Sequence, residues 1–383
     1  SPITSVSGKG YFLNTTAGTI TINLPTSPSA GDIVSIKDYA RTWSSNAVTV
    51  GRGGSNMDGV AVDTTFSTNG LSITMIYMDA SKGWSLINED STTNMGALYV
   101  TATGGTPCAG ATCGNYKIHT FTGPGTLVVS CGGNSAGSNV VDYMVVAGGG
   151  GGGGSVPGYY AGGGGGAGGF RESVPSPAAW TASPIANPGN ARPVSATPYA
   201  IVIGGGGAGG AGPGSCSGVQ GSTSSFSDIS SAGGGSGGKS TGGPGGGVAG
   251  GPGGSGGGGG AKQPGGTNVG GTGNTPVVSP AQGFNGGNGS SNTSGVGGGG
   301  GGALGVGDTG TCQPYGQVGG PGATTCISGS PLTKAVGGAT GCQPGGTPTT
   351  AANSGTGGQS GGECAPTGAG GGSGIVIIRY KFQ

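Results

Sequence analysis

Apolar and polar residues alternate in short runs through positions 1–90: GYFLNT, GTITINLP, DIVSIKDY, AVTVGRG, LSITMIYMD and GWSLIN. A period of two puts one set of side chains on each face of a strand. Turn-forming clusters such as Pro-Ser-Ala-Gly and Gly-Gly-Ser-Asn separate the runs. No stretch keeps the i, i+3, i+4, i+7 spacing of an amphipathic helix. The pattern predicts a small all-β module over 1–90, with EDSTTNMG (89–96) as a polar linker.

A second β set follows within 91–147: ALYVTATGG, NYKIHTFTGPGTLVVS and NVVDYMVVAGGG. TFTGPGTLVV reads as a hairpin turning at Gly123-Pro124-Gly125. Two more strands lie far downstream, one near 199–203 in PYAIVIGGGG and a closing one at 374–383 in GIVIIRYKF. Together they predict a β-sandwich entered early and left late. Val141, Tyr143, Val145, Ile201, Ile203, Val376, Ile378 and Tyr380 are its expected core.

Between these strands the alternation vanishes into glycine. Of 104 glycines, 20 precede Gly148 and the other 84 lie from it onward. Glycine this dense leaves no side chains for a core, and each residue has much backbone entropy to lose. Composition alone points to disorder. Strong strands on both flanks, interspersed cysteines and varied segments between the glycine blocks point instead to order. The ordered arrangement open to such a chain is a bundle of polyproline-II-like segments with three residues per turn, here polyglycine II, joined by backbone hydrogen bonds. The reading for 148–373 is therefore a glycine-rich insertion framed by the sandwich. Its varied segments form loops at the bundle's ends, where binding residues tend to sit.

Charge narrows the function. Thirteen basic and twelve acidic residues leave a net charge of +1. That argues against nucleic acid, which needs a basic face. No apolar run approaches the ~18 residues of a membrane span, so no membrane insertion is expected. The start, SPITSVSGKG, reads as that of a fragment or processed product.

Eight cysteines in a loop-rich chain suggest disulfides and an extracellular location. Sequence order suggests the local pairs Cys108–Cys113, Cys312–Cys326 and Cys342–Cys364, out of many possible pairings. With no CxxC and with His119 as the only histidine, no metal site is expected.

Gly233-x-x-x-x-Gly238-Lys239-Ser240 matches the phosphate-binding loop formally. The glycines that follow cannot open the helix which that loop requires. With one histidine and isolated carboxylates, acid–base chemistry has little to draw on. No enzymatic activity and no cofactor are expected. His119, in the alternating run KIHTF, reads as structural. The aromatics of the varied segments are the candidate ligand contacts, as aromatic anchors in loops commonly are: Tyr159, Tyr160, Trp180, Phe226, Phe284 and Tyr315.

GTITINLPTSPSAGDIVSIKDYA, AVTVGRGGSNMDG and IYMDASKGWSLI resemble a β-module of tail-fibre and other virion proteins of tailed bacteriophages. YKIHTFTGPGTLVV, VDYMVVAGGGGGGG and GAGGGSGIVIIRYKF resemble the glycine-rich domain at the distal ends of such fibres, many of them from marine and cyanobacterial phages. The resemblance implies a host-attachment adhesin on the virion, with variable loops recognising a bacterial surface receptor, either glycan or outer-membrane protein. It also implies a trimeric β-module and contacts with other tail proteins. The alternative is a virion decoration or extracellular fibril protein whose glycine region packs on itself.

Overall fold

The computed structural model describes residues 2–383 except 88–96, 136, 157–160, 213–215, 241–246, 262–267, 292–294, 311–316, 342–350 and 363–364. Among the described residues every regular element is a strand, and none is a helix. Contacts divide the chain into two units, Ser1–Tyr99 with Gly133–Asn139, and Val100–Gly132 with Val140–Gln383.

The first unit holds β1 (Ile3–Thr4), β2 (Lys9–Leu13), β3 (Ile20–Asn23), β4 (Ile33–Asp38), β5 (Val48–Gly51), β6 (Thr64–Phe66), β7 (Ser72–Asp79) and β8 (Gly83–Leu86). They form two four-stranded sheets, ordered β1-β3-β5-β6 and β2-β4-β7-β8. Alternation does what the sequence predicts. Val34 and Ile36 of β4, and Ile73 and Met75 of β7, turn inward onto Trp43, Trp84, Val48 and Val50. Buried Asp38 fixes the loop after β4 by accepting the backbone N–H groups of Gly70 (2.9 Å), Thr42 (3.3 Å) and Trp43 (3.4 Å).

The second unit begins with β9 (Val100–Thr103), β10 (Thr106–Cys113), β11 (Tyr116–Phe121), β12 (Gly125–Gly132) and β13 (Val140–Val146). It continues through β14 (Phe170–Val174), β15 (Asn187–Pro188), β16 (Arg192–Pro193), β17 (Pro198–Val202), β18 (Ser224–Phe226) and β19 (Ile229–Ser231). β20 (Ala323–Thr325), β21 (Leu332–Lys334) and β22 (Ile375–Lys381) complete it. One sheet runs β10-β11-β22-β13-β14-β15 and the other β19-β18-β17-β12-β9. The expected sandwich core forms between them. Val141, Tyr143, Val145, Val376, Ile378 and Tyr380 meet Leu127, Val129, Ile201 and Phe226, and Ile203 packs at the margin.

The expected hairpin does not form. β11 pairs with β10 and β22, whereas β12 pairs with β17 and β9. Residues 122–124 carry the chain from one sheet to the other, so the Gly-Pro-Gly cluster is a sandwich corner.

β13 and β22 are buried on both faces. Met144, Val146, Ile375 and Ile377 pack on Phe170, Ala303, Ala323, Ile327 and Ala335, on the side away from the sandwich core. Their near-continuous apolar runs follow from that.

Beyond β13 the chain enters the glycine bundle, and its hydrogen bonds repeat every third residue. The N–H groups of Gly148, Gly151 and Gly154 donate to Ser222, Val219 and Cys216. Those of Gly149, Gly152 and Ser155 go to Gly372, Ala369 and Pro366, and those of Gly150 and Gly153 to Gly166 and Gly163. The carbonyls are used the same way. Gly148, Gly151 and Gly154 accept from Gly234, Gly237 and Ser240, Gly149 and Gly152 from Gly207 and Gly210, and Gly150 and Gly153 from Gly358 and Gly361. Six segments thus surround one, three antiparallel to it and three parallel. A period of three is that of a three-residue-per-turn helix, whose successive polar groups point about 120° apart.

Candidate functional site

Glycine sets the width of the bundle. A Cβ built on Gly148, Gly149, Gly150, Gly151, Gly152 or Gly153 would stand 1.9 to 2.1 Å from a neighbouring carbonyl oxygen. Only hydrogens fit there, so backbones approach closely enough for every amide of the central segment to find a carbonyl. Residues 232–240, which include the formal phosphate-loop match, form another segment. The amides of Gly234, Gly235, Gly237, Gly238 and Ser240 already donate to Gly148, Ser255, Gly151, Gly258 and Gly154. None of those five is left for a phosphate.

The segments reverse direction at two ends. One end adjoins the sheets. At the other, the described chain reverses between Val156 and Ala161, Gly212 and Cys216, Ser240 and Gly247, Ala261 and Asn268, Ser291 and Gly295, Gly310 and Gln317, and Gly362 and Ala365. Backbone bonds hold the flanks of these reversals together. Gly154 binds both Cys216 and Ser240, Ala161 binds Gly295 and Ala261, and Gly310 binds Asn288. The Ser155 hydroxyl donates to the carbonyl of Gly362 at 2.9 Å. This far end is a single surface on a scaffold fixed by main chain, and we take it as the candidate binding surface.

Of the six aromatics expected to make contact, none of those described lies there. Tyr159, Tyr160 and Tyr315 lie outside the described residues. The other three are at the sheet end. Phe226 is fully buried in the sandwich core, 6.0 Å from the Tyr199 ring, and is thereby removed as a surface contact. It alternates inward on β18, a strand too short to announce itself in a Ser-rich stretch. Trp180 lies over the Arg379 guanidinium at 4.2 Å and edge-on to Tyr116 at 5.8 Å. Phe284, half-exposed, donates its N–H to Gly302 near the base of the bundle.

What the far end does expose is valine. Val219, Val248, Val269 and Val318 are 55, 39, 58 and 66% exposed, each within three residues of a reversal. The signal in the sequence was a single large apolar residue inside a glycine block.

The chemistry-bearing side chains gather instead beside the large sheet. Asp142 of β13 accepts from the Ser173 hydroxyl at 2.8 Å. Burial pushes its carboxyl up to about 6, against the opposing pull of that hydrogen bond and of the Arg379 charge. Glu172 accepts the Ser183 N–H at 3.0 Å and the Thr325 hydroxyl. His119 is fully buried, with Nδ1 2.7 Å from the Gly104 carbonyl and Nε2 3.0 Å from the Tyr380 hydroxyl. Nδ1 therefore donates and Nε2 accepts, and burial together with the nearby Lys117 charge depresses its basicity. Gly110 stands over this ring in a backbone bulge, at φ 72°. A Cβ there would meet Nε2 at 2.7 Å. These are satisfied structural groups. No set of three potential ligands stands close enough to hold a metal among the described residues.

The local disulfide Cys108–Cys113 is not formed. Cys108 is exposed at the β10 bulge, whereas Cys113 turns toward Arg379 and Gly329. Cys326 is also a free thiol, and Cys312, Cys342 and Cys364 lie outside the described residues.

Comparison with curated proteins gave no match. Residues 122–381, from the sandwich corner to the last residue of β22, match the family described as a glycine-rich domain. They are more than half of the chain, and the protein belongs to that family.

Proposed function

We propose that this chain is the receptor-binding end of a bacteriophage tail fibre, borne on the virion outside the cell. The observation that supports this is the far end of the bundle, where the described flanks of seven connections are tied together by main-chain hydrogen bonds. A scaffold tied by main chain lets the sequences that connect its segments vary with the receptor. A net charge of +1 suits a glycan or a protein loop of an outer-membrane receptor, recognised without strong electrostatic steering. Trimerisation through the first unit and attachment to other tail proteins belong to the same reading, which assigns no catalysis.

The test is binding of the labelled chain to candidate bacterial hosts, beside a variant in which 157–160, 213–215, 241–246, 262–267, 292–294 and 311–316 are replaced by Gly/Ser of equal length. Saturable binding lost in the variant is the expected result. Fibril formation with no binding to any host would favour the self-packing structural role. New reducing ends released from host polysaccharide would overturn the non-enzymatic assignment.

A further inference from the structure

Two cysteines distant in sequence share one guanidinium, Cys113 through its sulfur and Cys326 through its backbone carbonyl. Cys113 ends β10, just before the turn into β11. Cys326 follows β20 and opens the turn toward β21. Buried Arg379 on β22 reaches both. Its Nη2 is 3.9 Å from the Cys113 sulfur, and its Nη1 donates to the carbonyls of Cys326 at 3.3 Å and Ile327 at 3.2 Å.

The turn that Cys326 opens brings Gly329 against the sulfur of Cys113. Gly329 N–H donates to the Cys326 carbonyl at 2.9 Å, so the Cα atoms of these two residues lie within about 7 Å, as in any four-residue turn. A Cβ built on Gly329 would stand 3.3 Å from the Cys113 sulfur. Cys326 is fixed on its other side by donating its N–H to Thr181 at 2.8 Å. Both thiols are partly accessible. The other described cysteines are elsewhere: Cys108 at the β10 bulge, Cys131 on β12 in the opposite sheet and Cys216 at the far end of the bundle.

We propose that Cys113 and Cys326 are a redox pair which closes to a disulfide, tying the β10–β11 hairpin to the β20–β21 hairpin. The oxidant is a small-molecule disulfide such as oxidised glutathione. One protein thiolate attacks it and releases one thiol, leaving a mixed disulfide. The second thiolate then attacks the protein sulfur of that mixed disulfide and releases the other thiol. Two electrons pass to the small disulfide, and the two protons lost by the cysteines end on the released thiols. Both cysteines are free in this structure. The bond would form in an oxidising compartment, after release from a reducing cytosol.

The test is peptide mapping by mass spectrometry, without reduction, on the full chain incubated with oxidised glutathione. A linked peptide joining Cys113 to Cys326 is expected, with a thermal midpoint several degrees above that of the reduced chain. C326S is expected to abolish both and to leave a glutathione adduct on Cys113, whereas C108S retains both. A link from Cys113 to any other cysteine would overturn the proposal. So would alkylation of both thiols in the native chain after oxidation.

Discussion

Gly151 and Gly205 are the same residue under opposite constraints. A Cβ on Gly151 would stand 1.9 Å from the Ala208 carbonyl oxygen, whereas one on Gly205 meets nothing within 4 Å. Gly151→Ala forces two backbones apart, and a loss of about 3 kcal/mol or more in urea unfolding is expected. Gly205→Ala is expected to change stability by no more than ~0.5 kcal/mol, because only the unfolded chain and solvent notice it. Equal effects at both sites would contradict close packing as the reason for glycine. Asp142 makes a second prediction at this scale. Its carboxyl titrates at about 6 in the fold against 3.8 unperturbed. A raised carboxyl favours the fold only while protonated, so its contribution is complete below 3.8 and fades as pH rises through 6. The loss amounts to roughly 3 kcal/mol. Asp142→Asn, which still accepts from Ser173, is expected to flatten the stability profile between pH 4 and 7 and to gain up to that amount at pH 7.5. An unchanged slope across that window would show that Asp142 is not the group responsible.

At the scale of elements, β22 organises the second unit. It lies between β11 and β13, with Ile378 opposite His119 on one side and Tyr143 on the other. Ile378→Ala removes a fully buried side chain from the sandwich core and is expected to cost about 2–5 kcal/mol by denaturant unfolding. A change below about 1 kcal/mol would mean that the closing strand is dispensable. The strand itself was legible, since GIVIIRYKF opens with four β-branched apolar residues directly after a glycine block. Its neighbours were not, because over 200 residues separate β22 from β13 and no local signal fixes pairing at that distance. The Gly-Pro-Gly turn was read correctly as a reversal but wrongly as a hairpin. Turn residues specify a bend, and the hydrogen-bond partners of β12 decide which sheet it enters. Phe226 was misread for a related reason: three residues of strand in a Ser-rich segment leave too little alternation to reveal an inward face.

For the whole molecule, the division of labour is between a core built from side chains and a bundle built from main chain. Glycine content made that division visible in sequence, and the six-neighbour arrangement follows from a period of three. Which varied segments reach the far end was not visible, because a reversal at either end looks alike in composition. Trp180 and Phe284 belong to the sheet end, and Val219, Val248, Val269 and Val318 mark the far one. On the adhesin reading, Val248→Ser combined with Val269→Ser and Val318→Ser is expected to weaken host binding at least tenfold with an unchanged melting midpoint, since these side chains are exposed. Full binding by the triple variant would place receptor contact elsewhere.

Hydrogen–deuterium exchange resolved to single amides tests the ordered bundle most directly. The amides of Gly148 to Gly154 and of Gly162 to Gly169, each bonded to a neighbouring segment, are expected to exchange as slowly as those of β13 and β22. Exchange at the rate of an unstructured glycine-rich peptide would contradict the bundle, and with it the rigid surface on which the proposed function rests.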